Sequence, residues 1–122
     1  MTTLAHWAGV AALGAAGALA RYGLDLVVTR RAGPGFPWGT LAVNALGSFL
    51  AGLVAGWAPS ETWRVLLAVG ALASFTTFST WMLETRELAV RGRPLAAAAN
   101  VGLSLALGLG LCAAGWALAG AL

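Results

Sequence analysis

Four apolar runs dominate this chain: Leu4 to Val28, Trp38 to Trp57, Trp63 to Leu83 and Pro94 to Leu122. Each reaches the roughly 20 residues that a helix needs to cross a bilayer. Hydrocarbon offers backbone amides and carbonyls no partner, so a span must satisfy them within itself, as a helix does. Of 122 residues, 60% are hydrophobic and 9% charged, which excludes a soluble domain of this size. The expectation is an all-α membrane protein: one domain, residues 1–122, of four transmembrane helices. Four helices bury little surface among themselves. The abundant small residues suit close helix contact, so an oligomer with its site between subunits is expected.

The third run carries the anomaly. Ser74-Phe75-Thr76-Thr77-Phe78-Ser79-Thr80-Trp81 sets four hydroxyl residues into the five positions from Thr76 to Thr80. Such side chains compete with the helix for backbone hydrogen bonds, which predicts a break in the third helix. Counted from Trp63 at about 1.5 Å per residue, the break begins at Ala73, about 16 Å in and near the midplane of a core about 30 Å thick. Irregular backbone at that depth is tolerated where it packs in protein or lines a watery cavity, so the break marks a candidate pathway or ion site.

Two stripes repeat every four residues. On the second helix Thr40, Asn44, Ser48, Gly52 and Gly56 run from polar to small; on the fourth, Ala96, Asn100, Ser104, Gly108 and Cys112 do the same. Packing glue accounts for Thr40, Ser48, Asn100 and Ser104. Asn44 asks for more, because a buried amide has four hydrogen-bonding valences to fill. The two stripes are candidates to face one space.

The net charge of +3 comes from seven arginines. Arg30, Arg31, Arg86, Arg91 and Arg93 fall in the first and third loops and only Arg64 in the second, a bias that places the Arg-rich loops in the cytoplasm and both termini outside. These arginines flank spans and form no basic face, so no nucleic-acid partner is expected. Arg21, one turn before Asp25, either snorkels or pairs with that carboxylate, or else attracts anions in a vestibule. Glu84 to Arg93 reads as a solvated helix end and turn, closed by Gly92 and restarted at Pro94. Ala18-Leu19-Ala20 fits a signal-peptidase site, but no basic residue precedes it and the apolar stretch continues beyond Arg21, so the first run is taken as a span. No acid, base or metal-ligand cluster argues for an enzyme, and Cys112 is a small packing residue.

Three stretches, Gly17-Ala18-Leu19-Ala20-Arg21-Tyr22, Gly39-Thr40-Leu41-Ala42-Val43-Asn44-Ala45-Leu46-Gly47-Ser48-Phe49 and Thr76-Thr77-Phe78-Ser79-Thr80, resemble the CrcB/Fluc family of small bacterial fluoride channels. The resemblance covers the whole chain. It implies an antiparallel dimer with fluoride pathways along the subunit interface and a structural sodium ion at its centre, in the bacterial inner membrane. It further implies that Asn44 hydrogen-bonds fluoride, that Phe78 and Trp81 line the pore with Thr77, Ser79 and Ser104, that Arg21 sits in the aqueous vestibule, and that backbone carbonyls of Ala73 and Thr76 hold the sodium. The chain departs from the family pattern at Trp81, where the motif usually has Phe, and at Ala73-Ser74, where a Gly pair is usual. The Arg bias favours one orientation, which points to a heterodimer with an oppositely oriented relative rather than a homodimer.

Hydroxyls, the Asn44 amide and aromatic ring edges suit a small, strongly hydrated anion. Two other readings stay open. A proton-coupled exporter usually has an ionisable carboxylate deep in a helix, whereas Asp25, Glu61, Glu84 and Glu87 all lie near span ends. A non-transporting membrane subunit would use the stripes for packing alone.

Overall fold

A computed structural model describes residues 3–122. Helix α1 (Leu4–Ala32) runs past the apolar run into Arg30 and Arg31, whose charges suit the negative end of the helix dipole. Gly33 ends it with φ +84°, a backbone conformation that side-chain-bearing residues rarely adopt. Helix α2 (Trp38–Trp57) follows the Gly- and Pro-rich loop.

The third span runs from Glu61 to Val90. Ser60 caps its start by accepting the Trp63 amide. Helix α3 (Glu61–Arg64) passes into a π-helical stretch (Val65–Leu72) and then a single turn, α4 (Ala73–Phe75). The chain opens at Thr76, which is extended (φ −83°, ψ 160°), and helix resumes as α5 (Ser79–Val90). The helix is therefore broken at the start of the Thr76–Thr80 hydroxyl run, three residues beyond Ala73, where the sequence predicts the break to begin. Thr76 donates both its amide and its hydroxyl to the Leu72 carbonyl at 3.0 Å, so the helical ladder runs on to Thr76. About 22 Å of helix precede the break and about 18 Å follow it, which leaves it near the middle of the span.

Helix α6 (Pro94–Ala121) starts with proline in the first turn, where its missing N–H costs nothing. It packs along α2, and the glycines explain how closely. A Cβ on Gly52 would run into the Cys112 carbonyl, and one on Gly115 into the Phe49 carbonyl. Helix α1 lies against the third span in the same manner, with Gly17 over Ala71. Arg93 donates to the Gly35 carbonyl, which puts the two Arg-rich loops at one end of the bundle. All four spans are long and apolar enough to cross a membrane, and the protein is a multi-pass membrane protein.

Candidate functional site

The break at Thr76–Phe78 leaves backbone groups to satisfy, and Asn44 of α2 does so. Its Nδ2 donates to the Thr77 carbonyl at 2.8 Å, and its Oδ1 accepts the Thr77 amide at 2.9 Å. Gly47, one turn further along α2, makes the approach possible, because a Cβ there would strike Thr76 Cγ2. Two of the four valences of the Asn44 amide are thus filled by the backbone N–H and C=O of one residue. One Nδ2 proton and one Oδ1 lone pair remain for a ligand.

Thr77 also starts the next helix: its Oγ1 accepts the Thr80 amide at 3.3 Å. Since the Thr77 amide goes to Asn44, the Ala73 carbonyl loses the donor that a continuous helix would supply. The extended backbone at Thr76 takes that residue's carbonyl out of the helical direction as well. Ala73 and Thr76 therefore offer oxygen ligands at the break.

Along one side of the break lies an open groove of about 570 Å³. Asn44, Ser48, Thr77, Phe78, Trp81 and Ser104 supply its polar and aromatic lining, and Ala73, Thr76, Gly108 and Cys112 also face it. Phe78 is 69% exposed, a large apolar ring left uncovered by the rest of the chain. The Phe78 and Trp81 rings stand almost perpendicular, at 83° with centroids 5.7 Å apart. Ser104 Oγ is buried with no hydrogen-bond partner, the one such hydroxyl among the described residues. Most buried hydroxyls are paired, so this one is poised for a ligand or water.

On the other side of the Asn44–Thr77 junction is a polar recess of about 210 Å³, lined by Arg21, Tyr22, Asp25, Thr40, Val43, Thr77 and Thr80. Thr77 borders both spaces. Arg21 does not pair with Asp25: among the described residues the only ion pair joins Arg64 to Glu61. Asp25 instead accepts the Thr29 hydroxyl at 3.1 Å. Arg21 and Asp25 thus line the recess together without pairing.

Asn44, Thr77, Phe78, Trp81 and Ser104 thus come together, with Arg21 one layer away, while Ser79 is exposed at the start of α5 and lines neither space. The two stripes share the groove only in part. Ser48, Ser104, Gly108 and Cys112 meet there, but Thr40 turns to the recess and Asn100 is buried against α5.

Glu84 corrects the reading of a solvated helix end. It is half-buried and accepts the hydroxyl of Thr40, itself only 3% exposed, at 2.5 Å. Helical spacing carries the signal: Glu84 follows Thr80 by four residues within α5, so one turn puts it on the face that lines the recess.

The family described as "CrcB-like protein, Camphor Resistance (CrcB)" matches residues 8–116. Among curated relatives, "Fluoride-specific ion channel FluC 2" of Mycolicibacterium paratuberculosis is 44% identical over 108 residues, 88% of either chain. A protein of the same name from Symbiobacterium thermophilum is 50% identical over 107 residues, covering 84% of this chain and 87% of that one. "Fluoride-specific ion channel FluC 1" of Rubrobacter xylanophilus is 53% identical over 103 residues, 82% of each.

Proposed function

Because the chain belongs to the CrcB-like family, we infer that it is a fluoride-selective ion channel, which lets cytoplasmic fluoride leave down its electrochemical gradient and so lowers its toxicity. It is not an enzyme. The observation that carries the reading at the level of residues is the junction of Asn44 and Thr77, with a donor-lined groove on one side and an arginine-bearing recess on the other.

Fluoride gives up water only where other donors take its place. In this reading Arg21 raises the anion concentration in the recess. The remaining Nδ2 proton of Asn44 and the hydroxyls of Thr77 and Ser104 then hydrogen-bond the ion, and the rings of Phe78 and Trp81 present their positive edges. Asn44 suits this work because its bonds to Thr77 fix the direction of its free proton. Ser79 would contribute only as a donor at the exposed end of α5.

Ala73 and Thr76 would hold a structural sodium ion through their carbonyls, and its positive charge would brace the break. Two carbonyls make a sparse shell for a hard cation, and a second, twofold-related subunit would double them. The same pairing would roof the groove and cover Phe78, whose ring a single chain leaves exposed. An antiparallel dimer in the bacterial inner membrane is therefore the assembly proposed. The Arg-rich loops lie at one end, which favours a single insertion and hence a heterodimer with an oppositely oriented relative.

The half-buried Glu84 is the one feature that favours a proton-coupled exporter, and it distinguishes the two readings. A bacterial strain lacking its own fluoride export provides the test. Co-expression of this chain and its partner should restore growth on fluoride; failure to do so, with both subunits in the membrane, would count against the channel.

A further inference from the structure

Trp81 belongs to a closed ring of hydrogen bonds that a phenylalanine could not complete. Its indole Nε1–H donates to the backbone carbonyl of Asn100 on α6 at 3.2 Å. The Asn100 side chain donates through Nδ2 to Thr85 Oγ1 at 2.9 Å. Thr85 Oγ1 in turn donates to the Trp81 carbonyl at 2.8 Å, one turn back along α5. Asn100 is 1% exposed, so its amide would be costly there without these partners. Neither Thr85 nor Asn100 lines the groove, whereas Trp81 does.

From this geometry we propose that Thr85 and Asn100 are positioning residues for anion selectivity, which lock the Trp81 indole as an unyielding wall of the fluoride pathway. The inference rests on the channel reading above. A ring held only by packing can turn about its side-chain torsions and make room for a larger anion. Here one edge of the indole is bonded to α6, and the backbone that carries it is bonded through Thr85 and Asn100 to the same turn of α6. Phe78 stands almost perpendicular to it, with ring centroids 5.7 Å apart. Chloride is wider than fluoride and needs the wall to move; fluoride does not.

The experiment uses the channel purified with whatever subunit it carries from the membrane, reconstituted in liposomes. Fluoride and chloride efflux are compared for wild type, Thr85→Val, Thr85→Ser, Trp81→Phe and Trp81→Phe/Thr85→Val. Thr85→Val removes two hydrogen bonds, from the Asn100 amide and to the Trp81 carbonyl, and should lower the fluoride-to-chloride ratio at least about fivefold, while Thr85→Ser should keep the wild-type ratio. In the Trp81→Phe background Thr85→Val should change nothing further. Labelling the indole nitrogens gives a second readout without flux: the Trp81 N–H, identified by its loss in Trp81→Phe, should exchange with solvent about fivefold faster in Thr85→Val. An unchanged ratio in Thr85→Val, an equal fall in both backgrounds, or an unaltered exchange rate overturns the lock. A wild-type channel that passes no fluoride overturns the channel reading instead.

Discussion

Asn44 and Thr77 exchange two hydrogen bonds, 2.8 and 2.9 Å, so that one side-chain amide replaces the helical bonds that the break removes. Structure and pathway therefore meet in a single residue. Asn44→Ala leaves a Thr77 donor and acceptor unpaired, which should cost about 1–3 kcal/mol per group and lower the melting temperature in detergent. Asn44→Asp keeps the acceptor for the Thr77 amide but replaces both donors with negative charge. With a carboxylate oxygen set against the Thr77 carbonyl it should be at least as destabilised as Asn44→Ala, and it should lose about 100-fold in fluoride flux because the anion now meets a like charge. Flux losses that merely follow the loss of stability in the two variants would reduce Asn44 to a brace.

Arg21 faces the recess without a carboxylate partner among the described residues. Steering by one exposed charge is screened beyond about 10 Å at 0.1 M salt. Arg21→Gln should therefore reduce fluoride flux roughly tenfold at low ionic strength and much less at high. The check is efflux measured across a salt series, and a deficit independent of salt would show that Arg21 acts by packing.

Thr40 and Glu84 join α2 to α5 beside the recess. For a channel, fluoride flux in wild type and in Glu84→Gln should be the same with and without an imposed proton gradient. Flux that needs the gradient in wild type and loses that dependence in Glu84→Gln would favour the exporter.

Gly52 and Gly110 make a paired test of the fold. A Cβ at Gly52 would meet the Cys112 carbonyl, while nothing lies within 4 Å of one at Gly110. Gly52→Ala should destabilise by about 1–3 kcal/mol as α2 and α6 are pushed apart. Gly110→Ala should be neutral, or stabilise by up to about 1 kcal/mol through helix propensity. Thermal unfolding in detergent reads both.

The arginine bias predicts a single orientation. With Cys112 replaced by serine, a cysteine introduced at Gly35 should be labelled only from the cytoplasmic side, and one at Ala58 only from outside. Equal labelling from both sides would favour a homodimer of oppositely inserted copies.

The spans, the break and Asn44 were legible because bilayer physics makes long apolar runs unambiguous and polar groups within them conspicuous, whereas Thr77 and Ser104 entered as pathway residues through the family resemblance. What stayed hidden depends on contacts between spans. Glu84 looked like part of a charged turn until α5 continued to Val90 and brought its carboxylate to Thr40. For Arg21 the sequence leaves snorkelling, pairing with Asp25 and a vestibule open; Asp25 bonds Thr29 instead, and Arg21 lines the recess. Asn100 shared a stripe with Ser104, yet it turns to Thr85, a partner 15 residues away that helical spacing alone cannot reveal.

Selective fluoride conduction is tested most directly by efflux from liposomes containing this chain together with an oppositely oriented family member, read with fluoride and chloride electrodes. Liposomes with either protein alone are the controls. The mixture should release fluoride quickly, retain chloride, and exceed the sum of the two controls. Fluoride and chloride released at equal rates, or no release beyond protein-free liposomes, would contradict it.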